Sequence, residues 1–329
     1  MSSKTNVIVT GGAGFIGSVL CKNLARQNFN PITIDNLSTG FRHLVKFGEF
    51  YHYDIGDYAK MMEIFSKHKP LAIFHIAGSK SVEESTKNPH KYYENNVAKT
   101  NSLLKATIDS GIKYFVFSSS ASIFGATNKH KIDEETETKP ISPYGMSKLM
   151  AEQILAGYDA GHGLKYSALR YFNVSGADPE SEVGEITKNP ANIFPILNEV
   201  VDGKRQEFTI FGDDYETFDG TCIRDYIHVS DLANAHIIAL KKLIQTNKSF
   251  KVNLGNGCGF SVLEVVEVFK KISGINFKVV IGKRREGDSA SLIANNKFAN
   301  EYLGWCPQFT NLEDHATHSW KWYQQSKNL

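Results

Sequence analysis

Cysteine is scarce in this sequence, and its spacing argues against two common uses of the residue. The 329 residues include four cysteines, Cys21, Cys222, Cys258 and Cys306, which lie far apart along the chain. None belongs to a Cys-x-x-Cys pair or a Cys/His cluster, so the sequence predicts neither a disulfide framework nor a zinc site. We expect reduced thiols in the core and no metal centre.

Long apolar runs and an excess of one charge are also lacking. Lysine and arginine total 37 against 35 acidic residues, a formal net charge of +2, and no long block of one sign occurs. This balance disfavours binding to nucleic acid or to a membrane surface. No apolar run approaches the roughly 18 residues of a membrane span, and the polar start leads directly into a strand-like segment. We expect a soluble, cytoplasmic protein whose partner is a small molecule.

What the sequence does contain is a regular alternation of short apolar runs and longer amphipathic stretches. The runs are rich in β-branched and aromatic residues and cover residues 6–10, 31–35, 50–54, 72–77, 114–118 and 166–171. This alternation predicts an α/β fold, a doubly wound, Rossmann-like parallel sheet with helices on both faces and right-handed crossovers. A ligand is expected beyond the carboxyl ends of the strands.

A change in composition after about residue 176 predicts a second, smaller domain. Glycine, proline, asparagine and aspartate become more frequent there. Amphipathic patterns over 230–246 and 261–273 predict further helices. The expected first domain is residues 1–176, rejoined by about 230–250, and the expected mixed α/β second domain is 177–229 and 251–329.

A glycine cluster between the first apolar run and the first amphipathic stretch indicates a dinucleotide site. Gly11, Gly14 and Gly17 occur where glycine permits a tight turn and the amino end of a helix favours a pyrophosphate. Asp35 follows the second run, and a carboxylate there accepts ribose hydroxyls and repels a 2′-phosphate, which favours NAD over NADP. Asp54, at the end of the third run, either binds the adenine amino group or caps a turn.

The segment Ser-Pro-Tyr-Gly-Met-Ser-Lys, residues 142–148, places a tyrosine and a lysine on one face at the start of a predicted helix. Alone, Tyr144 and Lys148 are more simply a solvated helix face. The run 114–118 also ends in serines, including Ser120, at the edge where this architecture places reactants. With a nicotinamide pocket, these residues resemble the short-chain dehydrogenase/reductase superfamily, in which Lys148 and the nicotinamide charge would lower the pKa of Tyr144.

Eight motifs narrow this resemblance to one family. They are, in order, residues 10–17, 35–37, 75–78, 92–97, 142–148, 169–173, 224–229 and 284–288. In this order they resemble the UDP-glucose 4-epimerase family, and they span nearly the whole chain. The last two, Arg-Asp-Tyr-Ile-His-Val and Arg-Arg-Glu-Gly-Asp, lie in the predicted second domain and are not shared by dehydrogenases in general.

The resemblance implies NAD as the cofactor and assigns it a set of binding residues. These are Gly11, Gly14, Phe15, Ile16, Gly17, Asp35, Asn36, Asp54, Ile55, Ile76, Ala77, Gly78, Lys80, Asn95, Tyr144, Lys148 and Phe172. It also implies that Ser120 orients the sugar 4-hydroxyl and that Tyr144 removes its proton as general base. Lys148 would hold the nicotinamide ribose and tune the tyrosine.

The resemblance also implies a UDP-sugar as substrate. The implied binding residues are Ser120, Asn173, Asn192, Ile193, Thr209, Phe211, Arg224, Arg285, Asp288 and Leu292. Arg224 and Arg285 would bind the pyrophosphate, which suits a planar guanidinium, although each alone is more simply a surface ion pair. The implied reaction interconverts UDP-galactose and UDP-glucose through a transient 4-keto sugar, with no net redox change.

Departures from the family pattern leave the sugar open. Phe124 stands where the family has tyrosine, and Leu292 stands at the position of the sugar-pocket gatekeeper. The resemblance associates tyrosine at that position with plain hexoses and a small residue with N-acetylated ones. UDP-N-acetylhexosamines therefore stay open as substrates, and a UDP-pentose 4-epimerase would share nearly every motif.

The same residues bear on other functions and on the oligomer. A nucleotide-sugar 4,6-dehydratase carries acidic residues after the central strand, where this chain has residues 119–121, Ser-Ser-Ala. A nucleotide-sensing regulator with an inactive site is disfavoured by the presence of Ser120, Tyr144 and Lys148. Helices near 89–110 and 143–160 would pair in a homodimer, as in the family, or pack within one chain.

Overall fold

The computed structural model describes residues 4–127, 129–285, 288–327 and 329 of the chain. The strands are β1 (Thr5–Thr10), β2 (Phe29–Ile34), β3 (Glu49–Tyr51), β4 (Ala72–His75), β5 (Tyr114–Ser118), β6 (Lys165–Tyr171), β7 (Asn173–Ser175), β8 (Glu207–Phe211), β9 (Ile223–Arg224), β10 (Tyr226–His228), β11 (Phe250–Leu254), β12 (Phe260–Ser261), β13 (Lys278–Gly282) and β14 (Ser291–Leu292). The helices are α1 (Phe15–Arg26), α2 (Tyr58–His68), α3 (Val82–Lys87), α4 (Pro89–Tyr93), α5 (Lys99–Asp109), α6 (Pro143–His162), α7 (Ile193–Val201), α8 (Val229–Thr246), α9 (Val262–Ser273) and α10 (Leu312–Ser326). Short helical turns lie at Arg42–Leu44, Glu94–Ala98, Ala121–Ile123 and Ala299–Leu303.

A seven-stranded sheet in the order β11-β6-β5-β4-β1-β2-β3 carries the cofactor-binding motifs. β1 pairs in parallel with β2 on one side and with β4 on the other, so the order of the strands reverses beside β1. The pairs β2 with β3, β4 with β5, and β5 with β6 are parallel too. The predicted α/β fold with a doubly wound parallel sheet is confirmed. Such a reversal opens a crevice for a ligand at the carboxyl ends of β1 and β4.

Burial on both faces explains why the central strands appear as continuous apolar runs in the sequence. Val7, Ile8 and Val9 of β1 are all fully buried, although successive side chains of a strand point to opposite faces. Ile8 belongs to an apolar cluster with residues of α2, α5 and α6. α1 packs against β1 and β2. The sheet is therefore enclosed between helical layers, as the alternation predicts.

The third strand is shorter than predicted. β3 covers only Glu49–Tyr51, so Asp54 lies in the following loop rather than at the strand end. The carboxylate of Asp54 accepts the Gly56 N–H at 2.9 Å, which turns the chain before α2 and ends the extended segment early. The helices predicted over 230–246 and 261–273 are present as α8 and α9.

By its internal contacts the chain divides into two compact units. The first comprises Met1–Gly125, Glu137–Arg170 and Ala233–Val252, and the second comprises Ala126–Thr136, Tyr171–Leu232 and Asn253–Leu329. Residues 126–136 group with the second unit, where Ile132 forms a parallel bridge with Ala294. Composition suggested domain boundaries near residues 176, 230 and 250, and these boundaries stay a prediction.

The second unit combines small sheets with helices. Its strand pairings are β7 with β10, β8 with β13, and β9 with β12 and β14. Residues of α7, α9 and α10 share one apolar core, which includes Phe194, Leu197, Phe269 and Leu312. This composition is the mixed α/β character that the sequence predicts.

The cysteines are free thiols, but only half of them are core residues. Cys21 and Cys222 are buried, whereas Cys258 and Cys306 are exposed. The expectation of core thiols was wrong for the latter two because both lie in loops, after β11 and after the turn Ala299–Leu303. Across the described ranges, no helix combines the length and the apolar character needed to cross a membrane. Over the same ranges, no three His, Cys, Asp or Glu side chains are grouped as a metal site.

Candidate active site

The turn between β1 and α1 has the geometry of a phosphate cradle. In the described structure α1 begins at Phe15 after Gly14, without a side-chain cap and without an acidic residue in its first turn. Its first N–H groups are therefore available to an anion. Gly11 has φ +75°, and a Cβ on it would lie 2.6 Å from the backbone nitrogen of Ala77, so the turn requires glycine. A Cβ on Gly17 would collide with the Gly11 carbonyl oxygen. The cradle fits the pyrophosphate of a dinucleotide.

Asp35 lies directly after β2 and is 8% exposed. Its Oδ2 accepts the Ala13 N–H at 3.0 Å, and its Oδ1 accepts the Leu37 N–H at 2.8 Å. Burial raises the pKa of Asp35, and these two N–H groups oppose the rise. Each carboxylate oxygen keeps a second lone pair that can accept from a ribose hydroxyl. The position and the chemistry of Asp35 fit the adenosine ribose of NAD.

Asp54 is the centre of a hydrogen-bonded junction. Besides the bond from Gly56 to its Oδ1, its Oδ2 accepts from Asn36 Nδ2 at 2.9 Å and from Lys99 Nζ at 2.7 Å. Burial acts to raise the pKa of Asp54, but these donors outweigh it and hold the pKa below its ordinary value. A cavity of about 250 Å³ opens here, lined by Asp54, Gly56, Glu94, Ala98, Lys99 and Ser102. The cap that the sequence suggested is present, and adenine binding by Asp54 and its buried neighbour Ile55 stays a prediction.

The chain that follows β4 lies beside the glycine turn. The N–H groups of Ile76 and Ala77 both donate to the Thr10 carbonyl oxygen at 3.1 Å. A Cβ on the next residue, Gly78, would lie 3.4 Å from Lys148 Nζ, so this segment also runs close to Lys148. The structure thus brings together the Ile76, Ala77 and Gly78 motif, the first glycine turn and α6.

Two asparagines at the turn Glu94–Ala98 support the same segment. Asn95, a predicted cofactor residue, is half-buried and donates through Nδ2 to Ser79 Oγ at 3.3 Å. Asn96, which sequence reasoning missed, accepts the Ser79 N–H at 2.8 Å and donates to the Ser79 carbonyl oxygen at 3.0 Å. It also donates to Ser147 Oγ on α6 at 3.1 Å. The adjacent Asn-Asn pair in the motif 92–97 was the available signal.

The helix that carries the tyrosine and the lysine begins as predicted. Ser142 Oγ accepts the Gly145 N–H at 3.1 Å, and Pro143 is the first residue of α6. Tyr144 and Lys148 are 8% and 5% exposed, so they do not form a solvated helix face. Lys148 Nζ donates to the Ser118 carbonyl oxygen at 2.9 Å, which connects α6 to the end of β5.

Burial is the largest influence on the ionisation of these two residues. Burial raises the pKa of Tyr144, while hydrogen bonding with Ser120 and the charge of Lys80 act to lower it. Burial lowers the pKa of Lys148 itself to about 8, and its ammonium is held by the Ser118 carbonyl oxygen. In the chain by itself, Lys80 is the cation that acts on the tyrosine. The expectation that Lys148 and the nicotinamide charge together lower the pKa of Tyr144 concerns the NAD-bound site and stays a prediction.

Ser120 lies just beyond β5 and is 7% exposed. Its Oγ accepts the Ser122 N–H at 3.1 Å and so caps the turn Ala121–Ile123. Ser120 also lies close enough to Tyr144 to lower the pKa of its phenol. The serine, the tyrosine and the lysine are thus gathered at the carboxyl end of β5, where a hydroxyl–tyrosine–lysine group can accept a proton from a bound alcohol.

In the second unit, Arg224 is fixed by several acceptors. Its Nη2 lies 3.2 Å from Asp288 Oδ1, and its Nη1 donates to the carbonyl oxygens of Ile223 and Ser289 at 2.9 and 2.8 Å. Leu292 is its partner in the pairing of β9 with β14. Three predicted substrate residues, Arg224, Asp288 and Leu292, are therefore neighbours.

Arg285 belongs to a second group of predicted substrate residues. Its guanidinium carbon lies 4.0 Å from the centroid of the Phe211 ring, at the end of the strand that also carries Thr209. Phe211 is 38% exposed, which leaves ring surface open beside the cation. The remaining predicted substrate residues of this unit are Asn173 at the start of β7, Asn192 at the position preceding α7, and Ile193 at the start of α7. Phe172, a predicted cofactor residue, is buried and joins β6 to β7 in the chain.

A family model supports the assignment of this fold and site. The model described as the NAD dependent epimerase/dehydratase family matches residues 7–255. This range is more than half of the chain and includes the glycine turn, Tyr144 and Lys148. The chain belongs to the NAD-dependent epimerase/dehydratase family.

Similar proteins within the family match along their whole length. A UDP-glucose 4-epimerase from Rhizobium leguminosarum bv. trifolii is 44% identical over 320 residues, which cover 97% of this chain and 98% of that protein. The crystal structure of UDP-glucose 4-epimerase from Brucella ovis in complex with NAD is 42% identical, with a TM-score of 0.94 over 96% of this chain and 98% of that one. The UDP-Glc/GlcNAc 4-epimerase from Campylobacter jejuni is 37% identical, with a TM-score of 0.86 over 98% and 99%.

Proposed function

We propose that this chain catalyses the NAD-dependent 4-epimerisation of a UDP-hexose, the interconversion of UDP-galactose and UDP-glucose, with Tyr144 as general base. The observation that carries the proposal is the buried group of Ser120, Tyr144 and Lys148 at the carboxyl end of β5, next to a dinucleotide cradle. Full-length similarity to proteins named UDP-glucose 4-epimerases supports the reaction and the cofactor.

Each member of the group has a role in moving one proton. Ser120 orients the sugar 4-hydroxyl toward Tyr144, whose phenolate form accepts its proton. Lys80 favours that phenolate by its charge. Lys148, whose ammonium stays close to Gly78 and the Ser118 carbonyl oxygen, holds the nicotinamide ribose. NAD, when bound, supplies the acceptor and later the donor of the hydride at C4, so the sugar passes through a 4-keto form.

The remaining first-unit residues place NAD. The glycine turn with Phe15 and Ile16 at the helix amino end binds the pyrophosphate, and Asp35 binds the adenosine ribose. The adenine end is assigned to the junction of Asn36 and Asp54. This arrangement leaves Tyr144 at the nicotinamide end of the crevice.

The second unit supplies the residues for UDP. Arg224 and Arg285 are permanently charged and carry planar donors that suit a pyrophosphate. Phe211, which already lies against Arg285, offers ring surface beside the uridine. Binding energy from the nucleotide then orients a sugar that makes few contacts of its own.

A second candidate substrate is a UDP-N-acetylhexosamine. The observation that favours it is Leu292, a side chain of intermediate size and intermediate burial, next to Arg224 in the strand pairing. The similarity to a UDP-Glc/GlcNAc 4-epimerase agrees with this candidate. A UDP-pentose remains a third candidate, because the same motifs would serve it.

We also propose that the protein forms a homodimer and that it is located in the cytoplasm. The helical segments near 89–110 and 143–160 contain exposed apolar side chains, including Tyr93 at 37% and Met150 at 38%. A second copy of the chain would cover such positions. The oligomer is measured directly by sedimentation of the purified protein.

The test is an epimerase assay with a matched pair of variants. Purified protein, without added NAD, is incubated with UDP-galactose and separately with UDP-N-acetylgalactosamine, and the C4 epimers are resolved by chromatography. We expect UDP-glucose to form, and Tyr144→Phe to lower kcat by about 100-fold or more because the general base is lost. Tyr158→Phe, on the same helix and bonded to Asn101, is the control that should keep full activity.

Two outcomes would contradict the proposal. If Tyr144→Phe retains activity, the tyrosine is not the base. If neither sugar is converted even with NAD supplied, while NAD and UDP still bind, the hexose 4-epimerase activity is excluded and the pentose or regulatory functions become the better explanations.

A further inference from the structure

Three residues on one face of α6 contact the serine run 118–120, which ends β5. Tyr144, Lys148 and Glu152 follow one another at intervals of four residues and therefore share a face of the helix. Lys148 Nζ donates to the carbonyl oxygen of the first serine at 2.9 Å, and the third serine, Ser120, lies close enough to Tyr144 to act on it. The hydroxyl of the second serine donates to Glu152 Oε1 at 2.6 Å. Each serine of the run thus meets a different residue of α6.

Glu152 is a charged residue in the core that the proposed chemistry does not use. It is 0% exposed, and Arg170 donates to both of its oxygens, from Nε at 3.0 Å and from Nη2 at 2.8 Å. Lys251 Nζ lies 3.5 Å from Glu152 Oε2. A buried ion pair gains little stability over apolar packing, so its presence beside a catalytic group calls for another explanation.

Ser119 determines how the serine run faces α6. Its N–H donates to the Leu169 carbonyl oxygen at 2.9 Å, which keeps this residue paired with β6. Successive side chains of an extended chain point in opposite directions, and the Ser118 hydroxyl accordingly turns away from α6 and lies 2.9 Å from His236 Nε2 on α8. While Ser119 points at Glu152, the Ser118 carbonyl oxygen remains directed at Lys148, and Ser120 follows directly at the start of the next turn.

We propose that Ser119 and Glu152 are positioning residues for the catalytic centre. The hydrogen bond between them holds α6 in one register against the serine run and so sets where Tyr144 and Lys148 stand relative to the reacting hydroxyl. Neither residue touches cofactor or substrate in this assignment, and the inference rests on the proposed function for its kinetic test. The sequence signal is a glutamate four residues after the lysine in Tyr-x-x-x-Lys-x-x-x-Glu.

The experiment removes one hydroxyl and leaves the ion pair. In Ser119→Ala, Glu152 keeps its bonds to Arg170, so the buried charge stays compensated and the fold is expected to persist. We expect kcat with UDP-galactose to fall about tenfold, the effect of one hydrogen bond to a charged group, with KM and bound NAD within about twofold of wild type. The pH profile of kcat should shift, because Tyr144 and Lys148 move.

The controls separate positioning from stability. Ser167→Ala removes another fully buried serine hydroxyl, on β6, which has no hydrogen-bond partner within the described structure, and should leave kcat unchanged. Ser119→Thr keeps the hydroxyl and should restore most of kcat. The proposal is overturned if Ser119→Ala and Ser167→Ala have equal kcat values, or if the Ser119→Ala loss leaves the pH profile unmoved and is not restored by Ser119→Thr.

A geometric readout keeps this inference distinct from the proposed function. Crystal structures of wild type and Ser119→Ala, both with bound NAD, give the separation of Lys148 Nζ from the Ser118 carbonyl oxygen directly. A lengthened separation in the variant supports positioning even if wild type converts neither sugar, in which case only the proposed reaction fails. An unchanged separation together with an unchanged kcat overturns the positioning role while the reaction stands.

Discussion

Lys99 and Asp54 form an ion pair, with Nζ 2.7 Å from Oδ2, that joins the first turn of α5 to the loop after β3. The pair lines the cavity that we assign to the adenine end of NAD. Asn36 donates to the same carboxylate oxygen, so three separate segments meet there. Removing the ammonium frees α5 from the loop and leaves Asp54 with an uncompensated charge.

We therefore predict that Lys99→Met weakens NAD binding. The side chains of the pair are 28% and 33% exposed, so solvent screens it in part, and we expect a loss of about threefold to tenfold in affinity. Fluorescence titration of NAD-depleted protein measures this change. The control is Lys105→Met, which removes the more exposed Lys105 of the pair with Asp109 on the same helix. Equal affinities of the two variants would exclude a role for Lys99 at the cofactor.

Arg285 gives a second prediction, for the substrate. Its guanidinium lies against the Phe211 ring, which orients the cation while leaving its N–H donors for a phosphate. We expect Arg285→Met to raise KM for UDP-galactose by about tenfold or more, while bound NAD stays constant. The KM of wild type should also rise more steeply with salt than that of the variant.

The control for this prediction is Arg205→Met. Arg205 pairs with Glu199 at 2.6 Å and is 43% exposed, and it belongs to neither group of predicted substrate residues. A KM that rises equally in both variants would indicate a general electrostatic effect instead of a pyrophosphate contact at Arg285.

The fold was predictable because its main signals are local. Strands buried on both faces give apolar runs, as in β5, which lies where the sequence places it. The start of α6 was equally clear because Ser142 and Pro143 supply a cap and a first helical residue. The length of β3 was not predictable, since Asp54 and Gly56 close a turn inside a run that reads as extended.

The support of the site depends on pairs that are distant in sequence. Lys99 and Asp54 are 45 residues apart, and Glu152 and Arg170 are 18 apart. No spacing rule relates such residues, because the sheet and the helices decide which of them meet. The pKa of Tyr144 in the chain by itself also depends on a residue distant in sequence, because Lys80 acts on it together with burial.

Leu292 leads to a prediction about the sugar. It is the partner of Arg224 in β14 and β9, and the proposed function places it at the hexose. A tyrosine fills the space that an N-acetyl group needs, whereas a glycine opens it. We expect Leu292→Tyr to lower, and Leu292→Gly to raise, the ratio of kcat/KM for UDP-N-acetylgalactosamine to that for UDP-galactose, each by about tenfold.

The adjacent Ile293 supplies the control for this change. Ile293→Val shortens a buried side chain next to the gatekeeper position and should leave the ratio within about twofold, because it does not line the sugar pocket in our assignment. The ratio of kcat/KM values is measured by competition between UDP-N-acetylgalactosamine and UDP-galactose in a single reaction mixture. If the ratio responds to Ile293→Val as much as to Leu292→Gly, the specificity lies in the packing of the strand and not in the gatekeeper.

Three histidines of the second unit lie in one cluster, in which His228 and His315 are buried and His318 is half-buried. His228 Nε2 is 3.1 Å from His318 Nδ1, and the rings of His228 and His315 are 5.0 Å apart. Burial lowers the pKa of each, and neighbouring imidazoles add to the effect for His228 and His315. His315 Nε2 also lies 2.9 Å from the Phe309 carbonyl oxygen, which acts in the opposite direction, yet its pKa falls from 6.5 to about 4.

These pKa values predict that acid destabilises the folded chain. A histidine with a folded pKa of about 4 and an unfolded pKa near 6.5 is mostly neutral in the folded chain and mostly protonated in the unfolded chain when the pH lies between those two values. Unfolding in this pH range therefore takes up a proton. Its stabilising contribution is therefore complete above pH 6.5 and is lost as the pH falls toward 4. His315 alone accounts for a decrease of about 2 kcal/mol in the free energy of unfolding between pH 7.5 and pH 5.0.

Urea denaturation tests this prediction by the difference in the free energy of unfolding between pH 7.5 and pH 5.0. His315→Gln should reduce the loss between pH 7.5 and pH 5.0 by about 2 kcal/mol, whatever it does to the stability at either pH alone, because only a titrating group contributes to the slope. His90→Gln, at an exposed position in α4, should leave the loss unchanged. If His315→Gln and His90→Gln lose the same free energy of unfolding between pH 7.5 and pH 5.0, the prediction is contradicted. Groups other than His315 then take up the protons on unfolding.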